Sequence, residues 1–148
     1  MKENNMVREK IAFSFPSALY SGGEDAPYPV LIKIVPKNID FHNLNLTIGV
    51  TNGFLNLEPK KAYALKLYVY KDGNRVFCSP NPDAGYVIEN IEDKEVNGRV
   101  SAVSTDDVSI LEQPTDGIYE IRVLLCDIAN HDEVLDQASS FFELRVEK

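Results

Sequence analysis

The side chains best suited to nucleophilic or general-base work are few. The 148-residue chain has two histidines, His42 and His131, and two cysteines, Cys78 and Cys126. The histidines lie far apart, each in a stretch that reads as loop. A Ser-His-Asp or Cys-His site would have to draw on one of them. There is no Gly-x-Ser-x-Gly elbow, phosphate-binding glycine loop, His-Glu-x-x-His or Cys-x-x-Cys pair. A structural zinc would need four ligands from these isolated residues, none at the usual close spacing. The sequence therefore argues against an enzyme and calls for no cofactor. An enzyme of unknown class stays third among the functions weighed.

Acidic side chains are plentiful and gather between apolar runs. One group is Asp106, Asp107, Glu112 and Asp116. The other is Asp127, Asp132, Glu133 and Asp136, with His131 among them. A hard cation such as Ca²⁺ wants six to eight oxygens from several carboxylates, and loops between strands can supply them. The second group is thus the alternative metal site, which would make the chain a calcium- or ligand-binding domain of the C2-like kind. The competing reading is that these are the solvated acids expected of a chain with net charge −8.

A third constellation points to recognition. In Ala62–Tyr70 the residues Tyr63, Leu65, Leu67 and Val69 share one face of a strand, which leaves Lys66, Tyr68 and Tyr70 on the other. Tyrosine is enriched at protein interfaces, and this strand is expected at a sheet edge, where unpaired backbone groups invite a partner. The competing reading is that tyrosine simply makes good cross-strand pairs. Cys78 and Cys126 read as buried, unpaired hydrophobes.

The elements that must position these residues are strands. The best is Asp116–Asp127, in which Tyr119, Ile121, Val123 and Leu125 alternate with Glu120 and Arg122. Further strands are expected at Val7–Phe15, ended by Pro16, at Val30–Val35 and at Leu44–Val50, the last ended by a Thr51-Asn52-Gly53 turn. Lys71-Asp72-Gly73-Asn74 suits a tight hairpin, with Arg75–Cys78 as its return strand. Gly85–Glu89 reads as a short strand, followed by an acidic loop at Glu92-Asp93. Val96–Val103 and Val108–Leu111 read as two strands separated by Thr105-Asp106-Asp107. Ala129–Asp136 reads as polar connection with a short helical turn, and Ser139–Glu147 closes the chain with Phe142, Leu144 and Val146 inward.

Eight or nine short strands with no helical period predict an all-β fold, a two-sheet antiparallel β-sandwich, with a closed barrel as competitor. The length favours one domain over 1–148, with residues 1–6 a polar leader. Hydrophobic residues at 44% with 26% charged suit a globular protein. A net charge of −8 argues against nucleic acid and against an anionic membrane surface. No apolar run approaches the roughly 20 residues of a membrane span. With no signal peptide and only two cysteines, the cytoplasm is the expected compartment.

The Asp116–Asp127 stretch resembles strand F of immunoglobulin-like and fibronectin-III-like sandwiches. Those folds place Gly two residues before a Tyr at the corner leading into strand F, and Gly117 and Tyr119 match that spacing. The resemblance implies that the Tyr119 hydroxyl reaches back to nearby main chain and fixes the crossover between sheets. The chain departs from antibody-type domains in having no tryptophan, and in placing Ile121 where they carry the strand-F cysteine. The superfold hosts many roles, so it implies no particular function. The expectation is a non-enzymatic soluble interaction module whose partner is a protein, with a homodimer as its self-associating form.

Overall fold

The computed structural model describes residues 8–18, 30–34, 46–83, 86–87, 92–130 and 133–146. In chain order the strands are β1 Lys10–Ala18, β2 Val30–Ile34, β3 Leu46–Leu57, β4 Tyr63–Lys71, β5 Asn74–Val76 and β6 Cys78–Ser79. They continue with β7 Tyr86–Val87, β8 Glu92–Val96, β9 Arg99–Ile110, β10 Gly117–Asp127 and β11 Glu133–Val146. A 3₁₀ turn, Ile128–Asn130, follows β10 on the way to β11.

Two sheets face each other. The first has the order β1-β3-β9-β6, with β8 also on β9; the second has β2-β11-β10-β4-β5, with β7 also on β4. Pairing is antiparallel except between β2 and β11, which run parallel. The strand order is that of an all-β immunoglobulin-like sandwich, and among the described strands neither sheet closes on itself into a barrel. β10 lies inside its sheet, paired to β11 on one side and β4 on the other.

The period of two places the core. Ile48, Val50, Phe54, Val108 and Ile110 from the first sheet meet Leu65, Leu67, Val69, Ile121, Val123, Leu125 and Leu144 from the second. Each such side chain, taken fully out of water, contributes about 1.5–3 kcal/mol. Tyr119 stacks on Phe142 at 5.1 Å between ring centres, closing the bottom of that core.

Two tight turns fix register. Asp72 and Gly73 have φ of 51° and 79°, and Asn97 and Gly98 have 53° and 75°. These left-handed pairs match the twist of two-residue hairpins. The Asp-Gly hairpin is where the sequence predicts it. The Asn-Gly turn corrects the expected strand Val96–Val103, which it divides into β8 and β9. Glu92-Asp93 is the start of β8 rather than a loop.

Three expected breaks are absent. Thr51-Asn52-Gly53 is not a turn: β3 runs through it, paired on both sides by β1 and β9. Gly53 serves a packing purpose, because a Cβ there would lie 2.2 Å from the Phe13 ring. Thr105-Asp106-Asp107 is no break either, since β9 continues through it as one strand. Asp106 is tolerated on the inner side because the Ser104 hydroxyl donates to it at 3.2 Å. Pro16 does not end β1. It sits opposite Val50 on a strand at the sheet's edge, where proline is tolerated. An irregularity between Ile11 and Phe13 turns Phe13 outward, so the expected inward row along β1 is broken.

Two further boundaries move. The return strand Arg75–Cys78 divides at Phe77, with β5 in the second sheet and β6 in the first. β11 begins at Glu133, not Ser139. The expected leader 1–6, His42, His131 and Asp132 lie outside the described residues.

Candidate functional site

β4 is flanked by β10 on one side and by β5 and β7 on the other. Tyr70 therefore lies between two strands, which corrects its expected place at an edge, while Tyr68 has a ladder partner among the described residues only on the β10 side. Across the outside of the second sheet, one row reads Arg75, Tyr70, Glu120, Phe141 and the next reads Tyr68, Arg122, Ser139. Lys66 heads the following row, beside Leu124. Ala64 shares that alternation but is buried.

Cations sit on the rings. The Arg122 guanidinium lies 4.1 Å from the centre of Tyr70, and that of Arg75 lies 4.7 Å from Tyr68. The two rings are 6.4 Å apart and tilted. Both arginines are also held by carboxylates: Arg75 by Asp83 at 3.1 Å, and Arg122 by a two-pronged contact with Glu120 at 3.0 and 3.2 Å. Tyr68 donates to Asp83 at 3.2 Å, and Ser139 donates to Glu120 at 2.8 Å. Arg75 holds the Asp83 carboxyl below its usual range, with Lys66 adding to the effect. Arg122, then Ser139, does the same for Glu120. Ile118 and Phe141 on this face are more than half exposed, at 62% and 55%.

The face continues round the side of the sandwich into an open groove of about 460 Å³, lined by Arg75, Phe77, Cys78, Asn81, Pro82 and Asp83. Phe77, where the chain leaves one sheet for the other, is 75% exposed. Its backbone is fixed by hydrogen bonds to Glu112 Oε1 and from Leu111 N. Cys78 and Cys126 are both buried and are not joined in a disulfide, and burial pushes the Cys78 thiol up. Arg75, Phe77 and the groove do not stand out in the sequence. Arg122 alone has a signal there, since its alternation puts it on the face shared with Glu120.

Of the alternative metal site, the described residues Asp127, Glu133 and Asp136 make other contacts. Asp127 is buried and pairs with Lys61 at 3.3 Å, while its Oδ1 accepts from Ala129 N. Asp136 accepts from Ile11 N at 2.8 Å and lies near Lys10. Glu133 accepts from the Asn130 side chain. Among the described residues no group of His, Cys, Asp and Glu converges as metal ligands would.

Asp127 belongs instead to a network that the sequence does not announce. Lys61 Nζ lies 2.7 Å from Glu9, 3.3 Å from Asp127 and 3.5 Å from Glu58. Tyr63 donates to Glu9 at 2.9 Å and accepts from Glu58 N at 2.8 Å. Burial alone would raise the Glu9 carboxyl, but Lys61 and Tyr63 hold it below its usual value. Burial and the Glu9 contact push Tyr63 up to about 12. Every group is engaged internally, so the network clamps the chain entering β1 to the ends of β3, β4 and β10.

The corner residues form a local device. The Tyr119 hydroxyl donates to Thr115 O at 3.0 Å and accepts from Thr115 N at 3.1 Å. Gly117 has φ of 142°, which disfavours a side chain. Lys71 Nζ bonds to the Thr115 hydroxyl and lies 5.5 Å from the Tyr119 ring.

No family model matches this sequence, and no curated protein does either. Among solved structures, the chain is similar to the CARDB domain of a Pyrococcus furiosus protein in complex with di-metal ions. That likeness covers 95% of this chain and 96% of that one, at 11% identity and a TM-score of 0.45. The ions belong to that protein, and at such identity no residue carries across.

Proposed function

We propose that this sandwich is a non-catalytic interaction module that docks a protein through the outer face of its second sheet, with a second copy of the chain as the form to test first. The observation that carries this reading is the Tyr68–Arg75 and Tyr70–Arg122 stack, flanked by exposed Ile118 and Phe141. Tyrosine and arginine dominate binding hot spots because they offer large area with few torsions and a polar handle.

Charge supports the same face. The chain as a whole carries −8, yet here Lys66, Arg75 and Arg122 stand against Asp83 and Glu120. Two copies meeting face to face about a two-fold axis would set arginines of one against carboxylates of the other. Elsewhere their like charge would keep them apart. Sedimentation equilibrium over a dilution series tests this: a reversible monomer–dimer equilibrium that weakens with added salt is expected. A wild-type protein that stays monomeric throughout removes the homodimer and leaves only a heterologous partner for this face.

A further inference from the structure

We propose that an ordered water occupies the interior of the sandwich, bound by Ser14, Asn52 and Ser140. Ser14, Asn52 and Ser104 stand opposite one another across β1, β3 and β9. Asn52 lies between Val50 and Phe54 in the inward alternation of β3, and all three are essentially without exposure. A polar row therefore crosses the middle of a face that is otherwise apolar but for Asp106, the partner of Ser104. From the second sheet, Ser140 on β11 is also buried. Its strand runs beside β1, with Ile11 N donating to Asp136 at 2.8 Å; Ser140 follows Asp136 along β11 as Ser14 follows Ile11 along β1.

The hydroxyl of Ser104 is engaged by Asp106. The remaining polar atoms, Ser14 Oγ, Asn52 Oδ1, Asn52 Nδ2 and Ser140 Oγ, have no hydrogen-bond partner among the described residues. Buried polar atoms are nearly always paired, because leaving them bare forfeits their hydration without return.

The mixture of atoms selects the occupant. A cation would satisfy the amide oxygen and the hydroxyls but leave the Asn52 N–H groups bare. An anion would leave the amide oxygen bare, and an apolar guest would satisfy none of the four. Water both donates and accepts, and buried waters make two to four such bonds. Exchanging the Asn52 oxygen and nitrogen changes nothing here, since the set still holds one donor and one acceptor group.

Oxygen-17 relaxation dispersion counts waters that stay bound long compared with tumbling. The wild type should contain a long-lived water that is lost in Asn52→Leu, a variant of similar volume with no polar atoms. In a high-resolution crystal structure of the wild type, a water should lie within hydrogen-bonding distance of Asn52 and of Ser14 or Ser140. Direct closure of the cluster by Asn52–serine hydrogen bonds would overturn the proposal, as would an ion at that position. A dispersion amplitude unchanged between wild type and a folded Asn52→Leu would overturn it too. The crystal structure decides the matter even where the variant does not fold.

Discussion

The same three ingredients, a tyrosine, a cation and a carboxylate, occur twice in this molecule with opposite consequences. Around Tyr63 they are Lys61 and Glu9, with Glu9 9% exposed and Lys61 21%. Around Tyr68 they are Arg75 and Asp83, with side chains 43% and 64% exposed. Both arrangements have hydrogen bonds of ordinary length, so geometry does not separate them. Water does. Screening and competition from solvent leave an exposed ion pair little to contribute to stability. A buried one leaves an uncompensated charge when either partner goes. The first network holds the fold, whereas the second leaves aromatic and guanidinium surface open to solvent.

The largest effect expected from that contrast is on Lys61. Lys61→Met strands Glu9 and Asp127 together at the base of β1 and should cost about 2–4 kcal/mol in a denaturant melt, less than for a wholly buried pair because the ammonium keeps some water. The matched change at Arg75, Arg75→Met, should leave the melt close to wild type. Equal losses at the two sites would erase the distinction.

The tyrosine hydroxyls sharpen it. Tyr63→Phe leaves Glu58 N and Glu9 short of a partner, and should cost about 1–3 kcal/mol. Tyr119→Phe strips both bonds to the Thr115 main chain and falls in the same range of about 1–3 kcal/mol. Tyr68→Phe loses only an exposed bond to Asp83, and should melt with the wild type. All three are read by the same chemical denaturation curve.

A smaller effect is expected from pH. The Glu9 carboxyl lies below its ordinary value of 4.5 in the folded protein, so its contribution is complete above that pH and fades as pH falls further. Tyr63 lies near 12 against an ordinary 10.0. Its contribution is complete below 10 and lost as pH rises from there toward 12. Melting temperature against pH should fall on both sides. The acid limb should be shallower in Lys61→Met than in wild type, because the cation that depresses Glu9 is gone; parallel limbs would contradict this account.

Much of the fold is legible because alternation in β4 and β10 is nearly unbroken, and Asp72-Gly73 announces its own turn. The departures share one cause. Thr51-Asn52-Gly53 and Thr105-Asp106-Asp107 have turn composition, but neighbours on both sides of β3 and on β9 supply ladder bonds that override local preference. Asn97-Gly98 has both the composition and the conformation of a turn, yet the apolar residues flanking it read as one continuous strand. At the site, period alone places Tyr68 and Tyr70 outward. That Arg75 and Arg122 cover them depends on β5 and β10 lying either side of β4, which no local pattern encodes. The pairing of Glu9 with Lys61 is likewise a product of tertiary structure.

On our proposal, the outer tyrosine face serves association and not stability. The most direct test is the dimer dissociation constant of Tyr68→Ser/Tyr70→Ser, measured by sedimentation on samples whose unfolding midpoints are also known. A rise of roughly tenfold or more is expected, as for removal of hot-spot aromatics, with an unfolding midpoint near that of the wild type. An unchanged dissociation constant, or a midpoint that falls as far as that of Lys61→Met, would contradict the account.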